Sequence, residues 1–232
     1  MNSIGVGIIG FGFMGRTHLG AYRRAASDGI DAQVREIYSL DPPDAPGAGN
    51  VDTGADSAID LESLGIRWSE EIEHLLAADD IDLVSICTPT DTHIDLAIQA
   101  LEAGKHVLLE KPVALSSVEV ERLQAVDDAT DRLCMPAMCM RFWPGWSWLH
   151  ETIRTGKLGA VTSAHFQRIG ASPAWSQDFY LDETRSGGAL TDLHVHDADF
   201  IFASFGMPTE VCTSGTRFQL VTQYRYPDGP AS

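Results

Sequence analysis

No run of about 18 or more apolar residues occurs in the chain, which leaves no candidate membrane span. The start, Met1-Asn2-Ser3-Ile4-Gly5, lacks the basic, apolar and small-residue succession of a secretory leader, so the protein is expected to be cytoplasmic. Basic residues are scarce. Sixteen Lys and Arg stand against 33 Asp and Glu, a formal net charge of -17, which speaks against a nucleic acid or an anionic membrane as partner. Cysteine is scarcer still: Cys87, Cys134, Cys139 and Cys212 have neither paired CxxC spacing nor the density of a disulfide scaffold, so reduced, mostly buried thiols are expected. There is no internal repeat, and the one biased stretch, Pro42 to Asp60, is rich in Pro, Gly, Ala and Asp and is expected to be a loop. What remains, 232 residues of which 44% are hydrophobic, suffices for one large domain or two modest ones.

Ile4 to Ile9 is a short apolar run ending in Gly10-Phe11-Gly12-Phe13-Met14-Gly15, and Thr17 to Ala26 has helical composition. That is GxGxxG in the context it needs, strand before and helix after. Glycines there permit a tight turn, close approach of main chain to a pyrophosphate, and close packing of helix on strand; the helix N-terminus offers oriented N–H groups to the anion. Gly10, Gly12, Phe13, Met14 and Gly15 are therefore candidate cofactor contacts. The next apolar run, Val34 to Leu40, leads to Asp41, near the spacing of about 20 residues at which an acid meets an adenosine ribose. A carboxylate accepts hydrogen bonds from the 2'-hydroxyl and repels a 2'-phosphate, and Pro42 and Pro43 follow in place of Arg or Lys. NAD is expected over NADP.

Ile66-Arg67-Trp68 is a candidate third strand, Ser69 to about Ala78 a short helix, and Ile81 to Cys87 a buried strand. The following turn, Thr88-Pro89-Thr90-Asp91-Thr92-His93, offers hydroxyls and amides beside the cofactor site, with Thr88 and Pro89 as candidate contacts. His93 is a candidate to face the ligand, against the alternative of a histidine packed on a neighbouring turn. After an amphipathic helix to Ala103, Gly104 reads as a C-cap, and a short apolar strand ends in Glu110-Lys111-Pro112. Strand ends in a parallel sheet open into the ligand crevice, so Glu110 and Lys111 are candidate cofactor-site residues and Lys111 a candidate for chemistry. Proline also restricts the residue before it to extended conformations. The bland alternative is a solvated ion pair closing a strand. Ser116 to Ala129 follows as a helix with Glu119 in a capping box, then Leu133 to Met140 as another apolar stretch. The alternation predicts an α/β Rossmann domain, a doubly wound parallel sheet, over residues 1-135.

Residues 136-232 read differently, as an α+β domain. Trp146 to Thr155 is a predicted helix, and Val161 to Ile169, Glu210 to Arg217 and Phe218 to Tyr226 are predicted strands. Between them lies Ser186-Gly187-Gly188, followed by Asp192, His194, His196, Asp197 and Asp199. On a helix Asp192 and His196 are i and i+4 and share a face, where an aspartate can orient an imidazole that moves protons. A surface ion pair or a capping aspartate is the alternative. The crowd of His and Asp also raises a metal reading, but on a helix these side chains diverge and do not all reach one ion, so no metal is expected.

The chain resembles the glucose-fructose oxidoreductase, inositol dehydrogenase and MocA (Gfo/Idh/MocA) family of nicotinamide-dependent oxidoreductases. The resemblance rests on Gly10 to Gly15, Thr88-Pro89 with His93, Ala103-Gly104-Lys105-His106-Val107 running into Glu110-Lys111-Pro112, Arg141-Phe142 with Pro144, and Ser186-Gly187-Gly188 followed by Asp192, His196 and Asp199. It implies that the peptide before Pro112 is often cis, and that Lys111 lies between nicotinamide and substrate. Asp192 and His196 are then carried by the substrate domain, across the cleft. By the same resemblance, Lys111 hydrogen-bonds the reacting oxygen, His196 takes the hydroxyl proton, and Asp192 orients the substrate and His196. The substrate implied is a sugar, inositol or related polyol. Arg141 to Trp148 and Ser172 to Arg185, with Trp175 and Arg168, are candidate substrate-wall residues. An open, mostly antiparallel sheet is implied for the second domain, and since such proteins usually run well past 300 residues, several of its strands are expected to be missing. Homo-oligomerisation through that sheet is expected to cover the exposed edges. The alternative function is a catalytically inactive nucleotide-binding regulatory or interaction protein on the same scaffold.

Overall fold

The computed structural model describes residues 3–40, 59–169, 176–216 and 219–227. Asp41, Trp175 and most of the Pro42 to Asp60 stretch lie outside the described residues.

β1 (Ile4–Ile9) is the axis of the first unit, and alternation along it sets both faces. Ile8 points into a cluster with Phe11, Leu19, Ile37, Leu61 and Ile66. Ile9 points the other way, into Leu75, Ile81, Val84, Ile86, Ile94, Ala97 and Leu101. A strand buried on both faces reads as an unbroken apolar run, as this one does. Helix α1 (Phe13–Ser27) follows, then β2 (Ala32–Tyr38), β3 (Arg67–Ser69), α2 (Ile72–Ala77), β4 (Leu83–Ile86), α3 (His93–Glu102), β5 (His106–Leu109), α4 (Ser117–Asp127) and β6 (Cys134–Pro136). The strands form one parallel sheet in the order β3-β2-β1-β4-β5-β6. That is the doubly wound Rossmann order, whose direction reverses between β1 and β4.

Local chemistry accounts for several element ends. Ser116 caps α4, its Oγ accepting from the Glu119 N–H at 3.3 Å, the first half of the expected capping box, while the Glu119 carboxylate accepts from the Ser116 hydroxyl at 3.1 Å. Gly104, at φ +77, ends the segment after α3. Ser69 does not open a helix. Its Oγ accepts from the Glu71 N–H and donates to the Glu71 carbonyl, a local turn that delays α2 to Ile72.

The chain divides into two compact units, Met1–Ala137 with Ser172–Ser186, and Met138–Ala171 with Gly187–Ser232. The second unit begins with α5 (Pro144–Arg154), which has proline in its first turn. The short helices α6 (Gln177–Tyr180) and α7 (Glu183–Ser186) belong to the first unit, where Arg185 Nε donates to Asp91 at 2.7 Å. The chain then gives α8 (Gly188–Asp192), α9 (His194–Phe205), which ends at Gly206 with φ +75, and the antiparallel pair β7 (Glu210–Thr216) and β8 (Gln219–Arg225). Trp146, Phe166 and Phe200 pack edge-to-face and stacked, with centroids 4.8 to 6.1 Å apart, and form the aromatic centre of this unit.

Two further expectations fail. Val161 to Ile169 is not a strand: none of its residues joins a ladder, and Val161 and Ile169 are exposed. Strand-forming residues alone do not make a strand, because pairing needs a neighbouring strand. The thiols are also less buried than expected. All four cysteines are free, yet Cys139 and Cys212 are exposed.

Candidate active site

The three glycines of the first turn serve three different purposes. Gly10 takes φ +88, and a Cβ there would lie 2.9 Å from Thr88 Cγ2 and 3.0 Å from the Cys87 carbonyl oxygen, so the turns after β1 and β4 touch. A Cβ on Gly15 would lie 2.1 Å from the Gly10 carbonyl oxygen, which makes glycine the condition for α1 to sit on β1. Gly12 differs from both. A Cβ there meets nothing within 4 Å, and Gly12 is the N-cap of α1, with no side-chain cap and no acidic side chain in the first turn. Phe13, Met14 and Gly15 follow as that first turn. Orphan N–H groups at an uncapped N-terminus, beside an open space that a side chain would fill, make a cradle for a pyrophosphate.

Lys111 and Glu110 follow β5 directly, next to this crevice in the sheet order. The Lys111–Pro112 peptide is cis. Glu110 does not turn toward a ligand. It is 7% exposed; its Oε2 accepts the Lys111 N–H at 3.1 Å, and its Oε1 lies 2.9 Å from His18 Nε2. His18 Nδ1 is 2.7 Å from Ser85 Oγ, to which the Tyr22 hydroxyl donates. An ionised carboxylate only accepts, so Nε2–H donates to Glu110. Burial pushes the Glu110 carboxyl up, but the His18 bond and the charges of His18 and Lys111 outweigh it and hold Glu110 below the usual range. Burial, followed by the Glu110 charge, raises the nearby Cys87 thiol well above its ordinary value and keeps it protonated.

His93 does not face a ligand either. It is 1% exposed, with Nδ1 2.9 Å from the Pro112 carbonyl and Nε2 2.9 Å from the Thr88 carbonyl, so its alternative reading as a packed histidine fits this geometry. Thr88 Oγ1 accepts from the Thr92 hydroxyl at 2.7 Å.

In the second unit, Asp192 ends α8 and His196 lies in the first turn of α9, with Leu193 between the two helices. The single helix expected through Asp192 and His196 is therefore broken at Leu193. The neighbouring carboxylates are committed elsewhere. Arg168 donates to both oxygens of Asp197, at 3.2 and 2.8 Å, and with burial opposing, His194 and Arg168 hold Asp197 down to about 2. Arg141 forks onto Asp199. Arg168, expected as a substrate wall, thus spends its guanidinium on an internal pair. Among the described residues no group of three or more His, Cys, Asp or Glu side chains could hold a metal ion.

Comparison with known families decides the lineage. Residues 4–138 match the oxidoreductase family described as having an NAD-binding Rossmann fold, and residues 146–226 match the Gfo/Idh/MocA C-terminal domain. The chain belongs to the Gfo/Idh/MocA oxidoreductase family. Among Gfo/Idh/MocA relatives, it is 30% identical over 193 residues to the inositol 2-dehydrogenase of Rhizobium meliloti strain 1021, covering 83% of this chain and 52% of that protein. It is 36% identical over 139 residues to the scyllo-inositol 2-dehydrogenase (NAD(+)) of Bacillus subtilis strain 168, covering 59% and 39%. A solved levoglucosan dehydrogenase in complex with NADH and L-sorbose superposes with a TM-score of 0.75 at 25% identity, over 91% of this chain and 55% of that one. The chain spans about half the length of the curated relatives it matches, or less.

The Gfo/Idh/MocA fingerprint points to the glycines and to Lys111, but not to His18, Ser85 and Tyr22, which the sequence reading missed. One signal was available: Gly15, His18 and Tyr22 recur at helical spacing on the face of α1 that also buries Leu19, and a polar side chain on such a face needs a partner. The glycine geometry gives a discriminating test. Gly12→Ala is expected to leave the melting temperature of the chain nearly unchanged while weakening NADH binding at least about tenfold, because its methyl meets only the space a pyrophosphate needs. Gly15→Ala is expected to cost about 1–3 kcal/mol of stability as well, through overpacking against Gly10. Thermal melts paired with NADH titrations separate the two; equal NADH affinity in Gly12→Ala and the parent would remove the cradle.

Proposed function

We propose that the chain is an NAD-dependent dehydrogenase unit that oxidises a secondary hydroxyl of a sugar, inositol or related polyol. The observation that carries the reading is the open, uncapped cradle at Gly12 in the same crevice that Lys111 borders. A nicotinamide bound there supplies the hydride acceptor. The residues supply the rest. Lys111 hydrogen-bonds the reacting oxygen and stabilises the charge that develops as its proton leaves. His196 takes that proton, and Asp192 orients the imidazole and the substrate. The names of the relatives, which are inositol dehydrogenases and a levoglucosan dehydrogenase, support a polyol or sugar as the substrate class.

The preference for NAD rests on Asp41 and the prolines after it. Titration with NADH and NADPH, followed by energy transfer from protein fluorescence to nicotinamide, is expected to give saturable binding with NADH at least about tenfold tighter, the scale of one unfavourable charge contact. Tighter NADPH binding would reverse the cofactor assignment. Binding without turnover across a polyol screen would favour the inactive scaffold. Assembly through the β7 and β8 sheet, whose Val211, Leu220 and Val221 are exposed, belongs to the same reading; a monomer by light scattering would contradict it.

A further inference from the structure

The main chain at Lys111 is held from both sides. Glu110 takes the Lys111 N–H, and His93 reaches the Pro112 carbonyl. The second grip is the unusual one, because both ring nitrogens of His93 face carbonyl oxygens, at 2.9 Å each, and carbonyls only accept. A neutral imidazole has one N–H. Burial holds His93 below its ordinary range, the Pro112 and Thr88 carbonyls and Glu110 pull against that, and Lys111 pushes with it. The ring is therefore neutral near pH 7 and serves one carbonyl. The bond to Pro112 is wholly buried, whereas the bond to Thr88 is partly open. A buried acceptor without a donor bears its full desolvation cost, while an accessible one turns to water, so the hydrogen belongs on Nδ1.

We propose that His93 is a positioning residue for Lys111: its Nδ1–H grips the Pro112 carbonyl and fixes the backbone that carries the lysine against the Thr88 turn. The inference rests on the reading of Lys111 given above. His93 opens α3, whose Ile94, Ala97, Ile98 and Leu101 are packed in the core, so the clamp is anchored on a rigid element. A shift of Lys111 by a fraction of an ångström leaves cofactor binding at Gly12 intact and disturbs only the group that meets the reacting oxygen.

The experiment uses the whole chain with histidine labelled by 15N and lysine labelled by 13C at Cε. The tautomer of His93 is read from its ring 15N shifts, with Nδ1 expected as the protonated nitrogen. Only three lysines, Lys105, Lys111 and Lys157, give signals, and Lys111→Arg assigns the one of interest. His93→Asn places an amide N–H where Nδ1 stood, and His93→Gln places one where Nε2 stood. His93→Asn is expected to keep the Lys111 signal in place. His93→Gln is expected to move it and to lower turnover about 100-fold with an unchanged NADH dissociation constant, the scale of a small misplacement. An Nε2–H tautomer, a His93→Gln chain that matches the parent while His93→Asn does not, or two variants that both match it would overturn the proposal. Saturating NADH that leaves the parent's Lys111 signal unmoved would instead overturn the reading of Lys111, and is distinguishable because the tautomer is measured without cofactor.

Discussion

Lys111→Ala is expected to lower turnover by about 10³-fold, the loss of one positioned cation at a developing alkoxide, or about 4 kcal/mol of barrier. The NADH dissociation constant should change less than about threefold, since one cation at the nicotinamide end is a small part of dinucleotide binding. The structure gives a reason to trust such a variant. The anchors of this segment are made by main chain, the Lys111 N–H to Glu110 and the Pro112 carbonyl to His93, and neither uses the lysine side chain. Truncation therefore removes the ammonium and leaves both of these main-chain anchors in place. His196→Ala should show a comparable loss together with a flattened acid limb in the pH–rate profile, as expected when a general base is removed. Wild-type rates in both variants would sink the mechanism.

What could be read from the sequence follows from how local each determinant is. The glycine turn was legible because strand, glycine spacing and helix lie within one short stretch, and the β7 and β8 boundaries fell within a residue or so of the alternating runs that marked them. Capping of α4 was equally local, since Ser116 and Glu119 are three residues apart. Val161 to Ile169 has strand-forming residues but needs a partner strand, which local composition does not supply. Asp192 and His196 were given one helix because their spacing allowed it, and Leu193 interrupts it. The hardest features were the long-range polar pairs. Glu110 was read as facing a ligand because its place at a strand end suggested so; its partner His18 is 92 residues away in sequence and is reached only once the sheet brings the end of β5 beside α1. Arg141 and Asp199, 58 residues apart, escaped for the same reason.

That buried pair carries the largest expected effect on stability. His18 and Glu110 have side chains only 12% and 9% exposed, so water does not replace either partner when the other is removed. Glu110→Ala strands the His18 Nε2–H and the Lys111 N–H together, and breaking such a pair costs about 3–5 kcal/mol. For a chain of this size that lowers the melting temperature by roughly 6–20 °C. Glu110→Gln keeps one acceptor but turns an NH2 toward the other donor, so it should lie between the two. The pH dependence has a definite sign. The folded Glu110 carboxyl is held below its ordinary value of 4.5, so the folded state binds the proton less readily than the unfolded chain does. Its contribution is present above about pH 4.5 and is lost as pH falls through the lower, folded value. The melting-temperature gap between parent and Glu110→Gln should therefore be constant from pH 7 to pH 5 and close below that. A gap that persists unchanged in acid would mean that Glu110 is held as a neutral acid, and the Nε2–H donation from His18 to its carboxylate would have to be reassigned.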